Sequence, residues 1–182
     1  MKHRSLVIII LIFAVFLIGA GIAYNYLSSR ISAQQLATQP PQTEPEKFPA
    51  RDFTVTDLDG TEVHLLDYVG KPIILSYWAT WCGACQTQMP GFNNVYEQLD
   101  GEVLFLMVNA GESEDTVREY LSKKDYTFPV LLDTAGEAVK TYGISAFPTT
   151  FFIDAEGNLI TYVIGALDEE TLMIGVDMIY TP

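Results

Sequence analysis

The chain predicts an α/β protein built on a mixed sheet, on three observations. Short apolar strand runs alternate with helical segments through its middle, its last stretch reads as a hairpin followed by a helix, and no internal repeat interrupts this order. With 182 residues there is room for about one domain plus appendages.

The N-terminal appendage comes first. Behind Lys2 and Arg4 in the short segment 1–5, Leu6 to Tyr24 runs 19 residues without a charge, long enough to cross a hydrocarbon core as a helix. Residues 6–27 are therefore expected to form one transmembrane helix. Lys2, Arg4 and the terminal amine precede the run and the next cation is Arg30, which favours a cytoplasmic N-terminus and an outside domain. A cleavable leader is the alternative, because Gly21-Ile22-Ala23 offers small residues for cleavage; the length of the run favours an uncleaved anchor. No cysteine lies near this segment to carry a lipid.

Residues 28–47 read as a flexible linker, rich in Gln, Thr and Pro from Ser32 onward and without apolar periodicity. Residues 48–182 are left as the folded domain. Charge divides near this point: residues 44–182 carry all twenty-three acids against seven Lys or Arg, a net −16 within a chain of −13. Such a surface repels nucleic acid and anionic lipid, so no nucleic-acid partner is expected.

Within the domain, Phe53 to Thr56 and Glu62 to Leu65 alternate in polarity around Asp57-Leu58-Asp59-Gly60, the pattern of a β-hairpin. Gly70-Lys71-Pro72 turns the chain into Ile73 to Trp78, an apolar run read as a buried strand. Gln86 to Leu99 reads as a helix with Pro90 inside it. Val103 to Val108 suits a strand covered on both faces. Asp115 to Lys124 reads as a surface helix, with Glu112, Glu114 and Asp115 suited to its start and Lys123 and Lys124 to its end. A strand over Phe128 to Leu132 and a short helix over Glu137 to Tyr142 follow. Thr149 to Ile153 and Leu159 to Ile164 flank the turn Asp154 to Asn158, and a helix capped by Asp168 runs to Ile179.

Chemistry concentrates in Trp81-Cys82-Gly83-Ala84-Cys85, which holds both cysteines of the chain. Placed between a strand and a helix, Cys82 falls at a helix N-terminus, where unpaired N–H groups and the positive end of the helix dipole stabilise a thiolate. Thiols at such sites drop from about 8.5 to roughly 3.5–7.5. Cys85, one turn further in, is placed to resolve a mixed disulfide formed at Cys82. A zinc site would need four ligands, and only His3 and His64 could join the thiols, so no metal is expected. A purely structural disulfide would close too short a loop to add much stability. His64 sits on the polar phase of its strand and reads as a surface histidine.

Trp78-Ala79-Thr80-Trp81-Cys82-Gly83-Ala84-Cys85, followed by Phe147-Pro148-Thr149-Thr150-Phe151-Phe152-Ile153-Asp154, closely resembles the thioredoxin superfamily. The front hairpin, the anchor and the Asp154 to Asn158 turn resemble its membrane-anchored, extracytoplasmic TlpA/ResA-type branch of bacteria. The resemblance covers about residues 46 to 180. It implies a thioredoxin fold with an N-terminal hairpin extension and thiol-disulfide exchange, with Cys82 attacking and Cys85 resolving and no cofactor beyond that redox-active pair. It also implies a cis-proline at Pro148 and a substrate groove over Trp81, Gly83, Ala84, Phe147 and Pro148, where the Phe147 backbone pairs with an extended segment. The implied partners are disulfide-bearing exported proteins, such as apocytochrome c or a sulfoxide reductase, and a membrane thiol electron donor.

Two positions depart from the pattern. Cytosolic thioredoxins carry a buried Asp where this chain has Ser76, and ResA-type members carry a Glu where it has Gln88, so neither carboxylate is present to take the proton of Cys85. A peroxiredoxin-like peroxidase would want Thr or Ser at Ala79 and Pro at Leu75, and a copper chaperone would have only His64 to pair with the thiols. Gly83 and Ala84 supply neither charge nor a donor to the thiolate, which favours a reducing dithiol over an oxidant that installs disulfides.

Overall fold

The computed structural model of the protein describes residues 16–27 and 47–180. The chain divides into two compact units, residues 1–46 and 47–182. In the first, residues 16–27 are helical. Among the described residues no helix is long and apolar enough to cross a membrane. Residues 6–15 of the expected span and 28–46 of the expected linker lie outside the described residues.

The second unit has seven strands, β1 (Thr54–Asp57), β2 (Glu62–His64), β3 (Ile73–Trp78), β4 (Leu104–Ala110), β5 (Val130–Asp133), β6 (Thr149–Ile153) and β7 (Leu159–Ile164). Four helices accompany them: α1 (Gly83–Leu99), α2 (Glu114–Leu121), α3 (Glu137–Thr141) and α4 (Glu169–Ile179). The strands form one mixed sheet in the order β2-β1-β5-β4-β3-β6-β7. β3, β4 and β5 are mutually parallel, and the remaining pairings are antiparallel. This is the thioredoxin-like α/β architecture, with the front hairpin joined to the sheet through antiparallel pairing of β1 with β5.

β3 is buried along its whole length, and its period of two sorts its side chains between two cores. Ile74 and Trp78 face α1 and α4, packing with Met89, Phe92, Phe105, Leu172 and Val176. Ile73, Leu75 and Tyr77 face the hairpin and α3, packing with Phe53, Val55, Leu106 and Ala138. Helix α4 lies so close to β6 that a Cβ at Gly175 would stand 2.1 Å from Phe152 Cε1, which is why only glycine fits there.

Several element bounds differ from the sequence reading, each for a local reason. Helix α1 begins at Gly83 rather than Gln86, because Cys82 itself caps it and Gly83 and Ala84 are already helical. β2 stops at His64, since Leu65 leaves the strand to become a buried residue of a 3₁₀ turn over Leu65–Tyr68. β5 begins at Val130, after Pro129, which has no N–H for a ladder; Phe128 packs in the core instead. Helix α2 is capped by the Ser113 hydroxyl, which accepts from Thr116 N, and it ends before Lys123 and Lys124. Glu112 takes no part in that cap and turns the other way. Helix α3 has Gly136 at its N-cap without a side chain to offer, so the buried Asp133 carboxylate accepts from Glu137 N (2.8 Å) and Val139 N (2.9 Å) instead.

Candidate active site

β3 ends at Trp78, and three residues, Ala79, Thr80 and Trp81, carry the chain from the sheet to Cys82. A turn closes this link, with Cys82 N donating to Ala79 O (3.2 Å). Cys82 then has extended backbone (φ −83°, ψ 103°), and its Sγ accepts from Cys85 N (3.1 Å). The thiol thus occupies the place that a Ser or Asp oxygen fills at an ordinary helix N-cap, where free N–H groups and the dipole favour negative charge. Cys82 and Cys85 are joined by a disulfide, with Cα atoms 5.2 Å apart. Cys82 is 7% exposed and Cys85 fully buried, so an incoming sulfur has access only to the first.

Beside the pair, Trp81 is 68% exposed, and its ring meets Phe147 edge-on at 5.9 Å. This contact places the loop before β6 beside the dithiol. The Phe147–Pro148 bond is cis. Gly83 and Ala84 are exposed, and a Cβ at Gly83 would meet nothing within 4 Å, which leaves the approach to Cys82 open. The structure therefore brings the segment Trp81 to Cys85 together with Phe147 and its cis neighbour Pro148, with Trp81, Gly83 and Ala84 exposed and Cys82, Cys85 and Pro148 buried beneath them.

Three residues along α1 from Cys85, Gln88 enters a neutral, buried network. Ser76 and Gln88, the two positions that depart from the thioredoxin and ResA patterns, meet there: Gln88 Nε2 donates to Ser76 Oγ (3.3 Å). Ser76 Oγ also bonds Thr150 Oγ1 (2.9 Å), and Gln88 Oε1 accepts from Leu167 N (3.2 Å). All three side chains are at most 3% exposed. Two positions twelve residues apart in sequence thus share one pocket, and both are neutral.

His64 is not part of this region. It stands on β2 with β1, β5 and β4 between it and β3, its side chain 43% exposed and within reach of Thr54, Asp52 and Glu62. A thiol-histidine copper site would need it on the other side of the sheet order. Among the described residues no cluster of three or more His, Cys, Asp or Glu side chains is arranged to hold a metal. A hollow of about 550 Å³ lined by Phe48, Arg51, Lys140, Tyr142 and Phe151 includes neither cysteine. Burial there holds the Tyr142 phenol up at about 12, so it stays neutral at ordinary pH.

Sequence reasoning missed a second polar arrangement, built on the Glu112 carboxylate, beside the link that leads to Cys82. Glu112 follows β4 and bonds Thr80 and Asn109, while Gln86 Nε2 donates to Thr80 O (2.6 Å). Its nearness to the start of α2 suggested a helix cap, and no periodic signal could have tied it to a residue 32 positions earlier.

Comparison with known proteins agrees with this geometry. The AhpC/TSA family model matches residues 47–162. The thiol-disulfide oxidoreductase ResA of Bacillus thuringiensis is 37% identical over 124 residues, covering 68% of this chain and 72% of the relative. That of Geobacillus thermodenitrificans is 31% identical over 175 residues, covering 94% of each. Among solved structures, StoA from Bacillus subtilis aligns with a TM-score of 0.61 at 27% identity over 72% of this chain and 99% of that one. The pneumococcal exposed lipoprotein thioredoxin Etrx1 from Streptococcus pneumoniae aligns with a TM-score of 0.63 at 29% identity over 70% and 98%. The chain belongs to the AhpC/TSA family within the thioredoxin superfamily and is a thiol-disulfide oxidoreductase of the ResA type.

Proposed function

We propose that the protein works outside the cytoplasm, tethered by its N-terminal segment, and reduces disulfides of exported proteins. The observation that carries the direction is the composition of the helix start. Cys82 receives the Cys85 N–H and the helix dipole, but Gly83 and Ala84 add no charge and no side-chain donor. A thiolate stabilised only this far corresponds to a more reducing dithiol.

In the proposed cycle the Cys82 thiolate attacks one sulfur of a substrate disulfide. The substrate S–S bond breaks, the second substrate sulfur leaves as a thiolate and takes a proton, and Cys82 is held in a mixed disulfide. Cys85 then loses its proton and attacks Cys82 Sγ, which breaks the mixed disulfide and frees the reduced substrate. Two electrons have passed to the substrate and the Cys82–Cys85 disulfide has formed. Ser76 and Gln88 carry no charge, so the proton of Cys85 goes to water or to a group other than these two. A membrane thiol carrier returns the electrons, because the chain has no third cysteine to do so. Trp81, Phe147 and Pro148 form the groove that holds an extended substrate segment, and apocytochrome c or a sulfoxide reductase are suitable substrates.

The exposed-lipoprotein description of Etrx1 and the apolar run from Leu6 to Tyr24 both support the outside placement. Equilibration of the purified protein against a glutathione couple tests the direction. A potential near the thioredoxin level of roughly −270 mV supports the reductase, and one near the DsbA level of roughly −120 mV overturns it in favour of an oxidase. Partners are identified by Cys85→Ala, which arrests the mixed disulfide. A peroxidase activity is not proposed despite the family's breadth, since Ala79 and Leu75 stand where peroxide chemistry would want a hydroxyl and a proline; hydrogen peroxide consumption tests that choice.

A further inference from the structure

The link Ala79-Thr80-Trp81 decides where Cys82 stands, and it is held from outside its own element. Glu112 lies just beyond the end of β4, past the turn at Gly111 (φ 77°), and is half-buried. Its Oε2 accepts from Thr80 N (2.7 Å) and from Asn109 Nδ2 (2.7 Å), and its Oε1 accepts from Thr80 Oγ1 (2.5 Å). Asn109 is fully buried and in register with Trp78 across the parallel β3–β4 ladder, so the carboxylate is anchored to the sheet beside the end of β3. Thr80 O is held in turn by Gln86 Nε2 from the first turns of α1. Every polar group of Thr80, its N–H, its C=O and its hydroxyl, is thereby engaged.

We infer that Glu112 is the positioning residue of the dithiol. Through Thr80 it sets the course of the three-residue link and so holds Cys82 at the N-cap, where Cys85 N–H meets its sulfur. Charge-assisted bonds to a carboxylate are about twice as strong as neutral ones, and three converge on this one group. A loop that carries a nucleophile must hold it to within a fraction of an ångström for the thiolate to gain the helix N–H groups. The inference rests on the exchange reaction proposed above, but its first readout does not.

Two variants of equal charge separate the clamp from electrostatics. In Glu112→Gln the amide oxygen can accept from Thr80 N and Asn109 while its NH₂ donates to the Thr80 hydroxyl, so the bonds survive without the charge. In Glu112→Ala both are lost. The measurement is the pH midpoint of Cys82 alkylation in the reduced full-length protein, paired with the rate of disulfide reduction in a model peptide. The alanine variant is expected to raise the midpoint and slow reduction by about tenfold or more, while the glutamine variant stays within about threefold of the parent. Equal impairment of the two variants, or a parent-like midpoint in the alanine variant, overturns the inference. Should the alanine variant not fold, Thr80→Val removes only the hydroxyl bond; it is expected to raise the midpoint by a smaller amount, and an unchanged midpoint overturns the inference as well. A parent protein inactive on the peptide would count against the proposed reaction, and the alkylation midpoints would still decide the role of Glu112.

Discussion

The two polar networks entered at Thr80 and at Gln88, on either side of the dithiol in sequence, are built on opposite terms. In the first, Glu112 is a charged group in a half-buried position and bonds only donors, the Thr80 N–H, the Thr80 hydroxyl and the Asn109 amide. In the second, Ser76, Gln88 and Thr150 are almost wholly sealed from solvent and entirely neutral. The difference shows how burial selects chemistry. A carboxylate keeps its charge where water still reaches part of it and donors surround the rest, whereas deep burial without a cation favours groups that need no ionisation. One network can thus hold the loop by charge-assisted bonds, while the other can only hold the helix by neutral ones.

If both networks serve the sulfur pair, removing the sulfur should remove the reaction and leave the frame standing. Cys82→Ser is expected to reduce exchange to the uncatalysed rate while thermal melting of its reduced form stays close to that of the reduced parent. Retained exchange in an assay of a model disulfide would break the comparison at its centre. The neutral network is tested next by Ser76→Val, which leaves Gln88 Nε2 and the Thr150 hydroxyl without their shared partner. The expected loss is about 1–3 kcal/mol in urea unfolding, the range for a buried polar group deprived of its bond. A parent-like midpoint would mean that the neutral network contributes nothing to stability.

Gln88→Glu sharpens the comparison by placing a carboxyl at the sealed end. Burial without a cation raises its folded pKa above the unfolded value of about 4.3, so the folded state binds the extra proton more tightly. The sign follows: any penalty from charging is absent below the unfolded value, grows as pH rises toward the raised folded value, and then levels off. Melting temperatures of variant and parent are therefore expected to converge near pH 4 and to separate by pH 8. Equal separation at both ends would show that the neutral pocket admits charge as readily as the surroundings of Glu112.

The smallest effect is expected at Asp168, the residue after Leu167, whose N–H completes the neutral network. Its carboxyl is held below the usual range by bonds from the Thr171 side chain and from Thr171 N at the start of α4. A lowered folded pKa stabilises above the unfolded value and is lost as pH falls through the folded one. Asp168→Asn keeps a capping oxygen, so its melting temperature should fall slightly below the parent at neutral pH and meet it under acid conditions. A constant gap across pH would assign the cap to geometry alone.

Much of this protein was already readable along the chain. The strand run Ile73 to Trp78, the hairpin turns marked by Gly60 and Gly157, the Asp168 cap and the Cys82/Cys85 pair are local patterns, set by side-chain periodicity, by the φ > 0 that glycine tolerates and by the geometry of a helix start. Element ends were harder, because a thiol acting as an N-cap and a proline before β5 shift boundaries without changing the hydrophobic pattern. What only the tertiary structure decided are the contacts across long sequence separations: Ser76 with Gln88 and Thr150, β1 with β5, Gly175 with Phe152, and Glu112 with Thr80. A hydrogen bond between residues 32 positions apart leaves no period in the sequence, and Glu112 beside Ser113 and Glu114 looks like any acid at a helix start. Parallel pairing of β3 with β4 is what brings the ends of two strands side by side and turns that acid toward the link before Cys82.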